Sequence, residues 1–431
     1  MFAVSEHQPL RPYIAFLIKN KVLRFPQFRN YLALRFSIIL SLNMQTTIIS
    51  YMVYQLTKDS LSLGLIGLWE VIPAFGFSMI SGHFVDQREK KGLMVQCIIG
   101  YMLLSLFYGM LSLRGFQQMA GVQLTVWLIY GGIFISGMLR AFLSPTNFSI
   151  FGLILPKTQY ANATTWSSAA WQSGAVLGPL IGGMLLAWTG FEISLFSVFL
   201  VQIVPLIAIL SIPKLPILNK EKEPILKSLK SGLSFVFHSQ MILAALALDM
   251  FAVLFGGAVA LLPVYATDIL KVGEVGYGWL RAAPGIGALI TLMILSMVPI
   301  KTNAGLKLLA SIALFGVTTI VFGISTNFAL SFAMLLLGGM FDSVSVIIRS
   351  TILQLYTPDE MRGRVAAVNT MFVSSSNELG ALESGVTAKW LGTVPAVVFG
   401  GCMTILIVAA TYLKAPRLRT LRLDGGAKDK T

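Results

Sequence analysis

Long apolar runs separated by short polar, basic or glycine-rich connections set the pattern of this chain. A bilayer crossing takes roughly 20 mostly apolar residues, and runs of that length recur twelve times between Tyr31 and Leu413. They lie near 31–57, 62–84, 93–113, 123–154, 161–188, 193–211, 241–263, 275–298, 306–325, 328–355, 365–388 and 394–413. The fourth, fifth, tenth and eleventh have soft borders, as expected of helices that project past the bilayer. The pattern predicts an all-α membrane protein of twelve transmembrane helices.

The runs are also duplicated. Shifted by 202 positions, Gly137 falls on Gly339, Pro156 on Pro358, Gly178 on Gly380, Gly183 on Gly385, Trp188 on Trp390 and Gly190 on Gly392. A second frame, shifted by 211, sets Gly67, Pro73 and Gly76 on Gly278, Pro284 and Gly287. Glycine and proline fix backbone shape, so matches at these residues mark two parallel halves of a transporter. The frames also set Arg140 on Asp342 and Glu70 on Arg281, charges of opposite sign at matched depths. The division expected is a segment 1–29, a six-helix half 30–211, a linker 212–240, a second six-helix half 241–413 and a basic tail 414–431. Within the linker, residues 225–230 read either as an amphipathic helix at the membrane interface or as a solvated connection.

Composition agrees. Of 431 residues, 56% are hydrophobic and 12% charged, half the charged share of a soluble protein. Lys and Arg crowd one set of connections, including Arg24, Arg29, Arg88, Lys90, Lys91, Lys214, Arg362 and Arg364; the opposite set holds only Lys58, Arg114, Lys271 and Lys389. The basic side faces the cytoplasm, so both termini are expected there. This asymmetry, with attraction to anionic headgroups, accounts for the net charge of +14 without a nucleic-acid partner. The first 29 residues carry no cleavage site, which argues against a signal peptide. Cys97 and Cys402 fall within spans, and neither cysteines nor histidines show metal-ligand spacing, so no disulfide, metal or cofactor is expected.

Between spans two and three stands Gly82-His83-Phe84-Val85-Asp86-Gln87-Arg88-Glu89-Lys90-Lys91. This resembles the signature loop of the major facilitator superfamily, with Gln87 and Glu89 in place of the usual Arg and Gly. The resemblance implies a conformational gate at Gly82, Asp86, Arg88 and Lys90. Gly174, Gly178, Pro179 and Gly183 in span five resemble the glycine-proline motif of proton-driven exporters of that superfamily; a plain packing seam is the other reading. Arg140-Ala-Phe-Leu-Ser-Pro145, Ala283-Pro284-Gly285-Ile286-Gly287 and Arg362-Gly363-Arg364-Val365 are similar to the enterobactin-exporter and macrolide-efflux branch. The resemblance implies two pseudo-symmetric six-helix halves around a cavity lined by spans 1, 4, 7 and 10, with spans 2, 5, 8 and 11 between the halves.

Charges inside spans are costly and mark function by default. On the implied arrangement Arg140 and Asp342 face each other across the cavity, Asp249 lines it, and Arg349 lies on the Asp342 face about two turns along. Asp342 or Asp249 then carries a proton, with Arg140 tuning or competing, unless the charges form a permanent structural pair. Glu70 with Glu378 and Glu383 is the favoured alternative: Glu70 and Glu383 are expected together at the outward gate, sharing one proton. Arg35, Asn43 and Gln45 in span one suit either substrate contact or interhelix hydrogen bonds.

The expected function is proton-coupled efflux of small amphipathic molecules, of drug or siderophore type, by alternating access. The expected setting is a monomer in a bacterial inner membrane. An uptake symporter or lipid flippase of the same fold is the alternative. A membrane sensor or enzyme is remote, because no catalytic constellation is present, and ATP-driven pumping is disfavoured by the lack of a phosphate-binding loop.

Overall fold

The structure, a computed structural model, describes residues 21–216, 225–298, 300, 303–358, 361–419 and 421. The surroundings of Gly82 and the side chains of Asp86, of 225–230 and of Arg362 lie outside what is described, as do most of segment 1–29, linker residues 217–224 and the end of the basic tail.

Each apolar run becomes a helix, since a backbone in lipid must satisfy its own N–H and C=O groups. The long helices are α1 (Pro26–Thr57), α2 (Ser60–Gln87), α3 (Lys90–Ser112), α4 (Arg114–Ile154) and α5 (Tyr160–Leu210). After α6 (Ile225–His238) come α7 (Gln240–Phe255), α8 (Gly273–Met297), α9 (Ala304–Ile324), α10 (Phe328–Tyr356), α11 (Arg362–Leu391) and α12 (Thr393–Lys414). Ten helices among the described residues are long and apolar enough to cross a bilayer. The 51-residue α5 holds two crossings, reversing direction at Gly190, whose φ of 74° and ψ of −177° suit a residue without a β-carbon. With α11, whose polar residues keep it below that apolar threshold, the described helices are consistent with twelve crossings.

Two boundaries differ from expectation. The fourth run begins earlier, because a stub from Arg114 leads into α4 through a turn at Gly121 (φ 74°). The seventh, expected unbroken over 241–263, stops at Phe255 and resumes as short helical turns across 258–269. Gly256 and Gly257 account for the break: neither favours a helix interior, and a β-carbon on Gly256 would lie 2.5 Å from the Phe315 ring. The linker does contain a helix, α6, longer than the 225–230 stretch and docked where Gly232 meets the backbone of Arg364.

The two repeat frames reappear as packing. A β-carbon on Gly137 of α4 would collide with the Glu70 carbonyl oxygen and lie 2.7 Å from Pro73 of α2. One on Gly339 of α10 would collide with the backbone of Pro284 of α8. The glycine–proline seam of the first half therefore recurs in the second at the positions both shifts predict.

The halves meet along α2 against α11 and α5 against α8. Their ties run from the end of the bundle that carries the tight turns to its middle. At that end Lys389 Nζ donates to Asp59 Oδ1 at 2.8 Å, Tyr54 donates to Asp268, and the Tyr51 and Tyr277 rings lie 5.4 Å apart. Backbone meets backbone where Gly64 faces Gly385 and Gly183 faces Gly278, at built β-carbon distances of 2.7–3.2 Å to the facing Cα.

Candidate functional site

A cavity of about 360 Å³ opens between the halves. Thr46 and Ser50 of α1 and Leu63, Ile66 and Glu70 of α2 line it from one side. From the other come the broken stretch 256–260, Arg281, Phe315, Thr318, Thr319, Phe322, Met334, Asp342 and Glu378. The second half supplies most of the wall, and the break after α7 opens that helix toward α9.

The strongest polar feature is a three-residue cluster. Arg140 Nη1 donates to Glu70 Oε1 at 2.7 Å and to Glu378 Oε1 at 2.9 Å. The first bond lies within one half, α4 to α2; the second crosses to α11 in the other. The arginine stands half-exposed, while both carboxylates keep less than a fifth of their surface. Charge-assisted hydrogen bonds of this length are short and set by geometry, and the two carboxylates that accept them are largely withdrawn from water. They also require charge: neutralising either carboxylate removes an attraction that holds Arg140 in place.

Other expected pairings rearrange. Arg140 takes Glu70 and Glu378 as partners, not Asp342. Glu383 accepts a hydrogen bond from Thr387 of its own helix at 2.8 Å, so the carboxylate that joins Glu70 through the arginine is that of Glu378. Five residues turn an α-helix by about 140°, which puts the two glutamates of α11 on different faces. Asp249 is buried and paired with Arg349, itself buried on α10. This links α7 to α10 inside one half and takes Asp249 off the cavity wall.

Span one divides in its roles. Gln45 joins a buried node with Ser105 of α3 and Gln202 of α5, Ser105 donating to the Gln202 side-chain oxygen at 2.9 Å and to that of Gln45 at 3.3 Å. Arg35 donates to the Ser167 carbonyl at 3.4 Å, and Asn43 to the Ile39 carbonyl at 2.9 Å. Gln45 and Arg35 thus serve interhelix bonding, and Asn43 bonds back within its own helix.

Of the expected gate, Arg88 lays its guanidinium over the Phe84 ring, 4.6 Å from the centroid, and buried Lys90 donates to the Arg88 carbonyl at 2.8 Å. The sequence reading missed two neighbours. Glu89 caps α3, accepting from the backbone N–H groups of Lys91 and Gly92 at 3.1 and 2.8 Å. Lys91 Nζ reaches the end of α5, donating to the carbonyls of Leu210 and Ile212 at 2.8 and 2.6 Å. The acidic residue just before a helix start was the available signal for the cap.

The span-five motif serves two seams. β-Carbons on Gly174 and Gly178 would meet α1 at Phe36, Leu40 and Asn43, within 2.6–3.1 Å. One on Gly183 would meet Glu274 and Gly278 of α8 at 2.7 and 2.8 Å. Pro179 lies between them, its carbonyl facing Gly278.

Comparison with known proteins adds the context. The sequence pattern of the transmembrane secretion effector family matches residues 23–427. The enterobactin exporter EntS of Escherichia coli O1:K1 is 25% identical over 401 residues, covering 92% of this chain and 94% of that one. The same exporter from Shigella boydii serotype 18 matches to the same extent. Among solved structures, a D-xylose–proton symporter superposes with a TM-score of 0.70 at 13% identity, covering 92% of this chain and all of the other. A bacterial homologue of the human lysosomal transporter Spinster, inward-facing and unoccupied, gives 0.67 at 16% identity over 91% and 98% of the two chains.

Proposed function

Because the chain belongs to the transmembrane secretion effector family, whose fold is that of the major facilitator superfamily, we propose that this integral membrane transporter is a proton-coupled exporter. It moves small amphipathic molecules out of the cytoplasm of a bacterial cell. The likeness to enterobactin exporters supports the direction. The basic connections at the linker end support a cytoplasmic placement of that end and of both termini. The halves, taken as 30–211 and 241–413, alternate access as a monomer in the inner membrane.

One observation carries the coupling: a single arginine holds two carboxylates from opposite halves. With both glutamates charged, Arg140 clasps the halves together. A proton arriving on Glu378 neutralises the inter-half bond and leaves the Glu70 bond intact. Substrate release and proton uptake thereby share one rearrangement, with no step that moves a bare charge across the membrane. Asp86, Arg88 and Lys90, with Gly82, form the cytoplasmic gate that closes when the halves part on the outer side.

The test is proton release from everted vesicles carrying an acid-inside gradient, on addition of siderophores, macrolides and lipophilic amines. Release that disappears in Glu378→Gln at equal expression supports the proposal. Release unchanged in that variant overturns it. Accumulation driven in the opposite sense would indicate an uptake symporter.

A further inference from the structure

A second, smaller pocket of about 30 Å³ lies inside the first half, behind the wall of the central cavity. A buried water needs roughly 10–15 Å³ of such space and about two to four polar partners, so there is room for about two. Thr46 and Ser50 of α1 and Glu70 of α2 line both spaces and form the partition. Gln45 of α1, Tyr108 of α3 and Ser136 of α4 line the pocket and not the cavity.

The pocket collects buried polar groups that the protein itself does not satisfy. Tyr108 keeps 1% of its surface, and its hydroxyl has no partner among the described residues. Tyr101, on the same face of α3, gives its hydroxyl hydrogen to the Ser136 carbonyl at 3.1 Å. Buried Gln45 turns its side-chain oxygen to Ser105 and to Gln202, whose amide donates at 3.4 Å. Its own NH2 group is left without a partner among the described residues. Gly132 of α4 sets the place of the phenol, since a β-carbon there would lie 2.8 Å from the Tyr108 hydroxyl. On the acceptor side Arg140 takes Glu70 Oε1, and Glu70 Oε2 has no partner among the described residues. Buried polar groups are paired with protein or with ordered water. One water accepts twice and donates twice, which matches two donors, a carboxylate oxygen and a wall hydroxyl.

The charged and titratable groups around Glu70 are Arg140 on α4, Glu378 on α11 and Tyr101 and Tyr108 on α3, with Arg281 and Asp342 across the cavity. Arg140 bonds both glutamates at similar length, so it does not decide which of them takes a proton. The pocket breaks that symmetry, because Glu70 borders it and Glu378 does not. A donor to a carboxylate favours its charged form.

We propose that this pocket is a water-binding site, and that its water, held by Tyr108 and Gln45, hydrogen-bonds Glu70 and keeps it charged on Arg140 while Glu378 takes the proton. The inference rests on the coupling reading above and makes Tyr108 and Gln45 positioning residues, acting on Glu70 through the water.

The experiment has two arms. The first is X-ray radiolytic labelling of the full-length protein in detergent, read by mass spectrometry. Radicals formed from a bound water attack the side chain beside it, so a buried residue is labelled where water stays. Tyr265 is the comparison, equally buried, its hydroxyl donating to the Gly323 carbonyl at 2.8 Å. The expected result is labelling of Tyr108 and not of Tyr265, with the Tyr108 signal lost in Gln45→Leu. Tyr108 labelled no faster than Tyr265 overturns the proposal. If Gln45→Leu does not fold, the contrast between the two tyrosines in the native protein decides.

The second arm is proton release from everted vesicles carrying Tyr108→Phe. Release should fall roughly tenfold or more, the scale of one hydrogen bond to a charged group. Its pH profile should gain a second step as Glu70 begins to compete for the proton, with the melting temperature near native. A profile identical to that of the native protein overturns the role given to the water. Labelling needs neither substrate nor gradient, which separates the two readings. Tyr108 labelled, with release surviving in Glu378→Gln, would overturn the coupling reading and keep the water site. A dry Tyr108, with release lost in Glu378→Gln, would do the reverse.

Discussion

Arg140 on α4 donates to Glu378 on α11 across the boundary between halves, at 2.9 Å, while holding Glu70 of its own half at 2.7 Å. Glu383, five residues along the same helix, accepts a hydrogen bond from Thr387 of its own helix and has no ion pair among the described residues. The two glutamates therefore make opposite predictions. Glu378→Gln should abolish the dependence of efflux on an imposed pH gradient. Glu383→Gln should leave at least about a third of the native proton flux, a loss of about 0.6 kcal/mol, the scale of one net hydrogen bond. Proton-release assays on both variants in everted vesicles, at matched expression, check the pair; equal loss in both would contradict it.

The Asp249–Arg349 pair is buried on both sides and lies within one half. Asp249→Ala strands a buried guanidinium and should cost about 3–5 kcal/mol, seen as a large fall in thermal stability in detergent. Replacing both residues by leucine and methionine should recover most of that loss. Recovery of stability together with transport would identify the pair as structural; stability without transport would give it a part in the cycle.

At the tight-turn end, Lys389 and Asp59 bridge the halves in a partly exposed setting. Such a pair is worth about 0.2–1 kcal/mol. Lys389→Ala should thus raise the population open at that end by only about 1.5- to 5-fold. A cysteine placed at Ser50, on the cavity wall, should react correspondingly faster with an impermeant thiol reagent added from that side, in a Cys97→Ser, Cys402→Ser background.

Gly190 holds the reversal inside α5 with φ 74° and ψ −177°, a region reserved for glycine. Gly190→Ala should destabilise the protein by about 1–3 kcal/mol. The measurement is the melting temperature in detergent, with transport per folded molecule preserved.

Much of this architecture was legible because glycine and proline carry shape. Gly137 with Gly339, and Pro73 with Pro284, gave the repeat in one dimension and reappear as the same seam twice in three. The apolar runs located the crossings for the same reason that lipid demands helices. What stayed hidden was phase. α11 carries Asn377, Glu378, Glu383 and Ser384 around its circumference, so no single apolar stripe says which acid faces α2. The sequence offers both Glu378 and Glu383 as partners of Glu70; the structure joins Glu70 through Arg140 to Glu378, while Glu383 lies on another face of the same helix. Likewise the repeat sets Glu70 on Arg281 and Arg140 on Asp342, but which side chains close on each other depends on what else competes: Arg140 takes Glu70 and Glu378, and Arg281 takes the Tyr277 hydroxyl.

The two glycine contacts between halves, Gly183 on Gly278 and Gly385 on Gly64, have a mechanical meaning. Gly183 and Gly385 are counterparts under the repeat, and two points define an axle. With no side chains between the backbones at either bearing, the two bearings themselves can turn without any rotamer having to change there. A turn of about 10° about such a line displaces atoms about 20 Å away, the depth of one leaflet with its headgroups, by about 3–4 Å. Bulk at either bearing would seize the hinge with every charged residue still in place, so the smallest residues in the chain set its gearing.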